Sequence, residues 1–248
     1  ADFDLPAMID AILAETRAST LRAFVGHSQG AFQGFLKFGE DDTIRRRVDH
    51  FVALSPAVFL TQQRYTWRVL SALHLDDLAV HTFLPPGSPF EVMEEMQRDL
   101  CWVKSWLFAC WDCARDMGGS FMGGHDGFCP TCFSKFQCIP AGTSTENIHA
   151  FAETLRLGGL QEYLHRRGRT INFTALRSMP MTLAVGDRDL FMTPADVRRI
   201  ISERGSDSDV DFQVVQGAGH MDLVWGTSAP GQVYVPLVER LKARESVL

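Results

Sequence analysis

Four residues carry a first chemical reading: Ser28, the aspartates at 187 and 189, and His220. Ser28 sits in Phe24-Val25-Gly26-His27-Ser28-Gln29-Gly30, a G-x-S-x-G frame with a glycine two positions to either side. A serine hydroxyl attacks an acyl carbonyl only with help from other groups. It needs a base to take its proton, a carboxylate to orient that base, and N–H donors for the oxyanion. The frame suits the attack when a strand precedes it and a helix follows, because the sharp turn between them lifts the hydroxyl clear. The run from Leu21 to Val25 serves as that strand and Ala31 to Phe38 is compatible with the helix. Glycine is expected at 26 and 30 because side chains there would clash with the backbone of a strained turn. The N–H of Gln29 is the expected first oxyanion donor. His27 is expected to turn its ring away from the hydroxyl and support the turn. The competing reading is a glycine-lined strand-to-helix turn without chemistry.

The partners follow in the order serine, acid, histidine that α/β-hydrolases use. Asp187 and Asp189 lie in MTLAVGDRDLF, just past the apolar run Met181 to Val185. A buried carboxylate there would hold the histidine's tautomer, and the other aspartate would make turn hydrogen bonds. Position alone leaves open which does which. His220 lies in QGAGHMDLVWG after the run Val210 to Val215, and Gly217 and Gly219 would let that loop bend the imidazole back over Ser28. The remaining histidines fit no slot in this order.

The elements that must position these residues are legible in outline. Leu5, Met8, Ile9, Ile12 and Leu13 recur at helical spacing, so residues 5–17 are predicted helical. Strands are predicted over Leu21–Gly26, Val48–Leu54, Met181–Val185 and Val210–Val215. Thr193-Pro194-Ala195-Asp196 opens a helix, with Thr193 as N-cap and Pro194 at the first helical position. Residues 231–244 read as a last helix. Strands alternating with helices predict an α/β fold with a mainly parallel sheet. From about 59 to 174 that alternation stops. Aromatic and helical segments take over, including Trp102, Trp106, Phe108 and Trp111, followed by a glycine-rich stretch over 117–127. The expected organisation is a hydrolase core in two parts, 1–58 and 175–248, with a mostly helical, cysteine-rich cap or lid inserted at 59–174. The cap aromatics are either core or an amphipathic surface that lines an acyl pocket or meets lipid.

Composition bounds the rest. The chain has 248 residues, 46% hydrophobic and 22% charged, with a formal net charge of −6. That balance is ordinary for a globular protein and argues against nucleic acid as a partner. No apolar run reaches the roughly 18–20 residues of a membrane span, so no transmembrane segment is expected. No signal peptide is expected in these residues either, and a start on Ala1 leaves room for a processed or partial product. No cofactor and no catalytic metal are required. The six cysteines, Cys101, Cys110, Cys113, Cys129, Cys132 and Cys138, all fall in the cap. Two C-x-x-C pairs among them have the spacing of a structural zinc site, while an even count in one segment suits disulfides.

Five segments give the chain a family likeness. DLPAMIDAIL, FVGHSQG, PAGTSTENIHAF, GDRDLFMTPADV and GHMDLVWG occur in that order, and PAGTS before a helix is the most specific of them. The chain resembles the acid lipases, the group of gastric and lysosomal acid lipase within the α/β-hydrolase fold. The resemblance implies Ser28 as nucleophile, Asp189 rather than Asp187 as the acid, and His220 as base. It implies a long-chain lipid ester as substrate, a triacylglycerol or steryl ester, met at a droplet or micelle surface beneath a lid. It also implies a cap disulfide at Cys101 and Cys110, which leaves three connectivities for the other four cysteines and makes zinc the weaker alternative. Asn172-Phe173-Thr174 is a glycosylation sequon at a place where the family often has one, in keeping with a secreted or lysosomal route. Family members carry a long segment before the elbow, with further strands and the second oxyanion donor. The chain is therefore expected to lack an N-terminal part, and a catalytically inactive lipid-binding fragment is the alternative function. A small-ester hydrolase is a third reading, disfavoured by the large aromatic cap.

Overall fold

A computed structural model describes residues 1–61, 145–189, 191–205 and 209–245. The six cysteines, the cap tryptophans, the glycine-rich stretch and the PAGTS segment lie outside the described residues.

Four strands, β1 (Phe24–His27), β2 (Phe51–Leu54), β3 (Met181–Gly186) and β4 (Val210–Val215), form one sheet in chain order, every neighbouring pair parallel. β2 and β3 are buried at every residue, as strands covered on both faces must be, and both are apolar apart from Thr182. Alternation along each strand divides the core. Phe51, Ala53, Met181, Leu183 and Val185 face a large cluster with Phe35, Phe38 and Leu176. Val52, Leu54 and Ala184 face a smaller one with Val215, Leu223 and Val233.

The helices are α1 (Asp4–Thr16), α2 (Gln29–Glu40), α3 (Asp42–Arg45), α4 (Thr145–Leu157), α5 (Leu160–His165), α6 (Pro194–Arg204), α7 (Asp222–Trp225) and α8 (Val235–Glu245). A 3₁₀ turn spans Phe173–Ser178 and a π-helical turn spans Pro230–Tyr234. α1 buries Leu5 and Ile9, while Met8 and Ile12 of the same predicted stripe remain exposed. α6 starts on a full capping box: Asp196 N donates to Thr193 Oγ1 and the Asp196 carboxylate accepts from the Thr193 N–H. The buried Asp196 also accepts from the Thr61 N–H and hydroxyl, so one carboxylate ties the end of the first core segment to α6. Leu60 N donates to Gly158 O and Leu160 N to Val58 O, which brings residues 58–60 alongside 158–160.

Two strand predictions ran long. The sheet ladder of β1 starts at Phe24 and that of β2 at Phe51, and Leu21 and Val48 meet only in an isolated parallel bridge.

Candidate active site

All four strands point their carboxyl ends the same way, the end at which open parallel sheets place ligand sites. Ser28 follows β1 there, Asp187 and Asp189 follow β3, and His220 lies in the loop after β4.

Ser28 has φ 52° and ψ −117°, a strained backbone for a residue with a side chain. Three hydrogen bonds hold it. Its N–H donates to Leu54 O at the end of β2, and its carbonyl accepts from Phe32 N in α2 and Ala57 N. Gly26 is required by space, because a Cβ there would stand 2.6 Å from the Ala31 nitrogen. Gly30 departs from the sequence expectation: no described atom lies within 4 Å of a Cβ at that position, so steric exclusion does not explain it. The Gln29 N–H opens α2, among the first-turn amides that have no carbonyl within the helix to bond. The Gln29 side chain donates to Asn147 Oδ1 of α4 at 2.9 Å.

The two aspartates divide cleanly. Asp189 Oδ2 lies 2.8 Å from His220 Nδ1, and Asp189 Oδ1 accepts from the N–H groups of Phe191 and Met192 at 2.9 and 3.0 Å. Both residues are buried. Asp187 instead accepts from Gly217 N at 2.7 Å, which fastens the turn after β4 to the turn after β3.

The loop that carries His220 must travel back across the sheet. β4 and β1 are the outer strands, separated by three strand spacings of about 4.8 Å each. Gly217 takes φ 77°, and Ala218 O accepts from Arg188 N where the loop crosses the end of β3. A Cβ at Gly186 would sit 2.1 Å from that carbonyl, so glycine at the end of β3 makes the crossing possible. Asp222 accepts from Gly219 N at 2.8 Å, and burial raises its pKa. At the far end His27 Nε2 lies 2.9 Å from His220 O. The His220 ring is flanked by the rings of His27 and Phe191, with centroids 4.7 and 5.2 Å away.

Sequence reasoning missed the bonds of His27, Gln29 and Asp222. The His27 and Gln29 pairs are 193 and 118 positions apart in sequence, so tertiary structure decides them, while Asp222 makes a local bond within the turn that leads into α7. Asn172 is exposed, and its Oδ1 accepts from Ala175 N and the Thr174 hydroxyl as the cap of the 3₁₀ turn. Among the described residues no cluster of histidine, cysteine and carboxylate groups could hold a metal ion, and no helix is long and apolar enough to cross a membrane.

Comparison with known proteins gives the arrangement its context. No family model matches the chain. The chain is 25% identical over 261 residues to gastric triacylglycerol lipase of Mus musculus, covering 96% of itself and 62% of that protein. It is 28% identical to the same lipase of Bos taurus over 263 residues, with the same two coverages. Its identity to lysosomal acid lipase/cholesteryl ester hydrolase of Rattus norvegicus is 25% over 263 residues, covering 98% of the chain and 63% of that enzyme. This chain resembles the acid lipases. It spans about 62% of the length of the curated relatives it matches. Among solved structures, a soluble variant of monoglyceride lipase from Saccharomyces cerevisiae superposes with TM-score 0.55 at 15% identity, covering 96% of the chain and 67% of its own. A carboxylesterase structure from Nitrososphaera gargenis gives 0.52 at 13%, covering 99% and 74%. These likenesses, with the parallel sheet, make the fold that of an α/β-hydrolase. The acid-lipase-like chain thus carries its serine, aspartates and histidine on the strand-end loops of that fold.

Proposed function

We propose that the chain carries the catalytic half of a serine carboxylic-ester hydrolase of acid-lipase type. Ser28 Oγ attacks the ester carbonyl while His220 takes its proton, and Asp189 holds the imidazole and stabilises the imidazolium. The Gln29 N–H donates to the oxyanion. His220 then protonates the leaving alcohol and later activates the water that frees the carboxylic acid. The observation that carries this reading is the buried Asp189–His220 pair at 2.8 Å, on the same end of the sheet as the strained Ser28. The named relatives favour ester hydrolysis over an inert fragment, and their names point to triacylglycerols and cholesteryl esters among esters.

The substrate is a triacylglycerol or steryl ester taken from a droplet or micelle surface. Residues 59–174 form a cap between core segments 1–58 and 175–248, its cysteines paired as disulfides. The protein follows a secretory or lysosomal route and carries a glycan on Asn172.

Labelling by a fluorophosphonate tests the core of this. The chain is expected to be labelled and its Ser28→Ala variant not. Equal labelling of both, or none of either in a chain extended upstream, would remove Ser28 from the chemistry. Chain-length profiling on p-nitrophenyl esters would then separate a lipase from a small-ester hydrolase.

A further inference from the structure

The His220 loop is the longest reach in the site, and what holds its far end is a residue with no role in the reaction just described. The loop is fastened near its start by Asp187 at Gly217 and by the Arg188 N–H at Ala218, both at the end of β3. Asp222, the first residue of α7, holds Gly219. Among the described residues, the 2.9 Å contact from His27 Nε2 to His220 O is what ties the His220 backbone to the serine turn. We infer that His27 is a positioning residue, a strut that donates its Nε2–H to the His220 carbonyl and so sets the imidazole of His220 relative to the adjacent Ser28.

The chemistry of the contact fixes the proton. A carbonyl oxygen only accepts, so Nε2 carries the hydrogen. The ring is neutral: burial foremost, then the nearby His220, push its pKa down to about 4, against the raising effects of the His220 carbonyl and the Asp189 charge. With its hydrogen on Nε2 and held by the carbonyl, that nitrogen has no lone pair with which to take a proton, so at that contact His27 acts as a donor only. Its position next to the nucleophile gives the strut its value. The residue after it is the strained Ser28, so both reacting side chains are referred to one short piece of backbone. A displacement of about 1 Å between reacting groups costs on the order of 100-fold in rate.

This inference rests on the proposed roles of Ser28 and His220 and is tested by two readouts that fail separately. The variants are His27→Gln, whose amide N–H can occupy the Nε2 position, and His27→Leu, which has no donor. His27→Asn is a second non-bridging variant should the leucine form fail to fold. Hydrogen exchange of the 217–221 amides is measured in each, with the β3 amides as internal control. Exchange is expected to speed up about tenfold in the loop alone for the leucine form and to return toward the parent in the glutamine form. On p-nitrophenyl butyrate, kcat is expected to fall about 100-fold in His27→Leu with KM unchanged, and to recover in His27→Gln. Loop exchange unaltered by His27→Leu and His27→Asn, or exchange raised equally in β3, would overturn the strut. So would a parent-like kcat in the leucine form. A chain extended upstream that is never labelled by fluorophosphonate, yet shows the loop-confined exchange change, would keep the strut and discard the hydrolase reading.

Discussion

Asp187 and Asp189 are two residues apart and take different work because their surroundings differ. Asp189 has one oxygen on two backbone N–H groups and the other on His220, so its carboxylate is fixed before any substrate arrives. An asparagine there could keep its oxygen on the two amides but would turn an NH₂ toward Nδ1 and force the wrong imidazole tautomer. Asp189→Asn is therefore expected to cost about 10⁴ in kcat, as that swap does in serine proteases. Asp187→Ala removes one bond to the exposed turn at Gly217, and is expected to cost about 0.5–1.5 kcal/mol in stability. Its effect on kcat should stay within about tenfold. Steady-state kinetics and urea melts on the two variants check the division, and a reversed ranking would reassign the acid. Chain order and strand position narrowed the acid to these two residues. Choosing between them required either a family likeness or the fold, since which carboxylate meets His220 depends on where the loop after β4 lands.

At the scale of elements, the turn between β1 and α2 makes a contrast of its two glycines. Gly26→Ala drives a methyl into the Ala31 backbone and is expected to destabilise by about 3 kcal/mol or more while displacing Ser28. Gly30→Ala, inside α2, meets no atom of the described residues and is expected to raise stability by up to about 1 kcal/mol. Thermal melts of the pair decide it, and equal losses would contradict the geometry. The G-x-S-x-G frame shows the same two letters at both positions, so the sequence could not separate a glycine required by contact from one that is not. Strong local signals transferred well: the Val210–Val215 strand and the Thr193 cap stand as read. Weaker ones moved by a few residues, as at Leu21 and Val48. These two bridge each other below the sheet ladder, where burial and not β-propensity decides the pairing.

Among the described residues two imidazoles are pushed well below their usual pKa, the half-buried His27 and the buried His50. His50 is 4% exposed, lies 2.8 Å from the Thr182 hydroxyl, and is pushed down to about 4 by burial first and the nearby Arg244 and Arg240 next. In the unfolded chain a histidine titrates near 6.5. Between about pH 6.5 and 4 the unfolded state thus binds more protons than the folded one, and stability falls as pH falls. Thermal melts are expected to show a midpoint that declines from pH 6.5 to 4, with a shallower decline in His50→Gln. A midpoint independent of pH, or the same slope in both proteins, would count against it. The antiparallel meeting of 58–60 with 158–160 has a different kind of consequence. Because the core closes on itself at that junction, whatever length of chain lies between is a closed loop to the sheet. Halving or doubling such a loop changes its closure entropy by only about 0.6 kcal/mol. The intervening segment can therefore change in length at little cost to the sheet, as one changes a tool bit in a fixed chuck, while the strands that carry Ser28, Asp189 and His220 stay as they are.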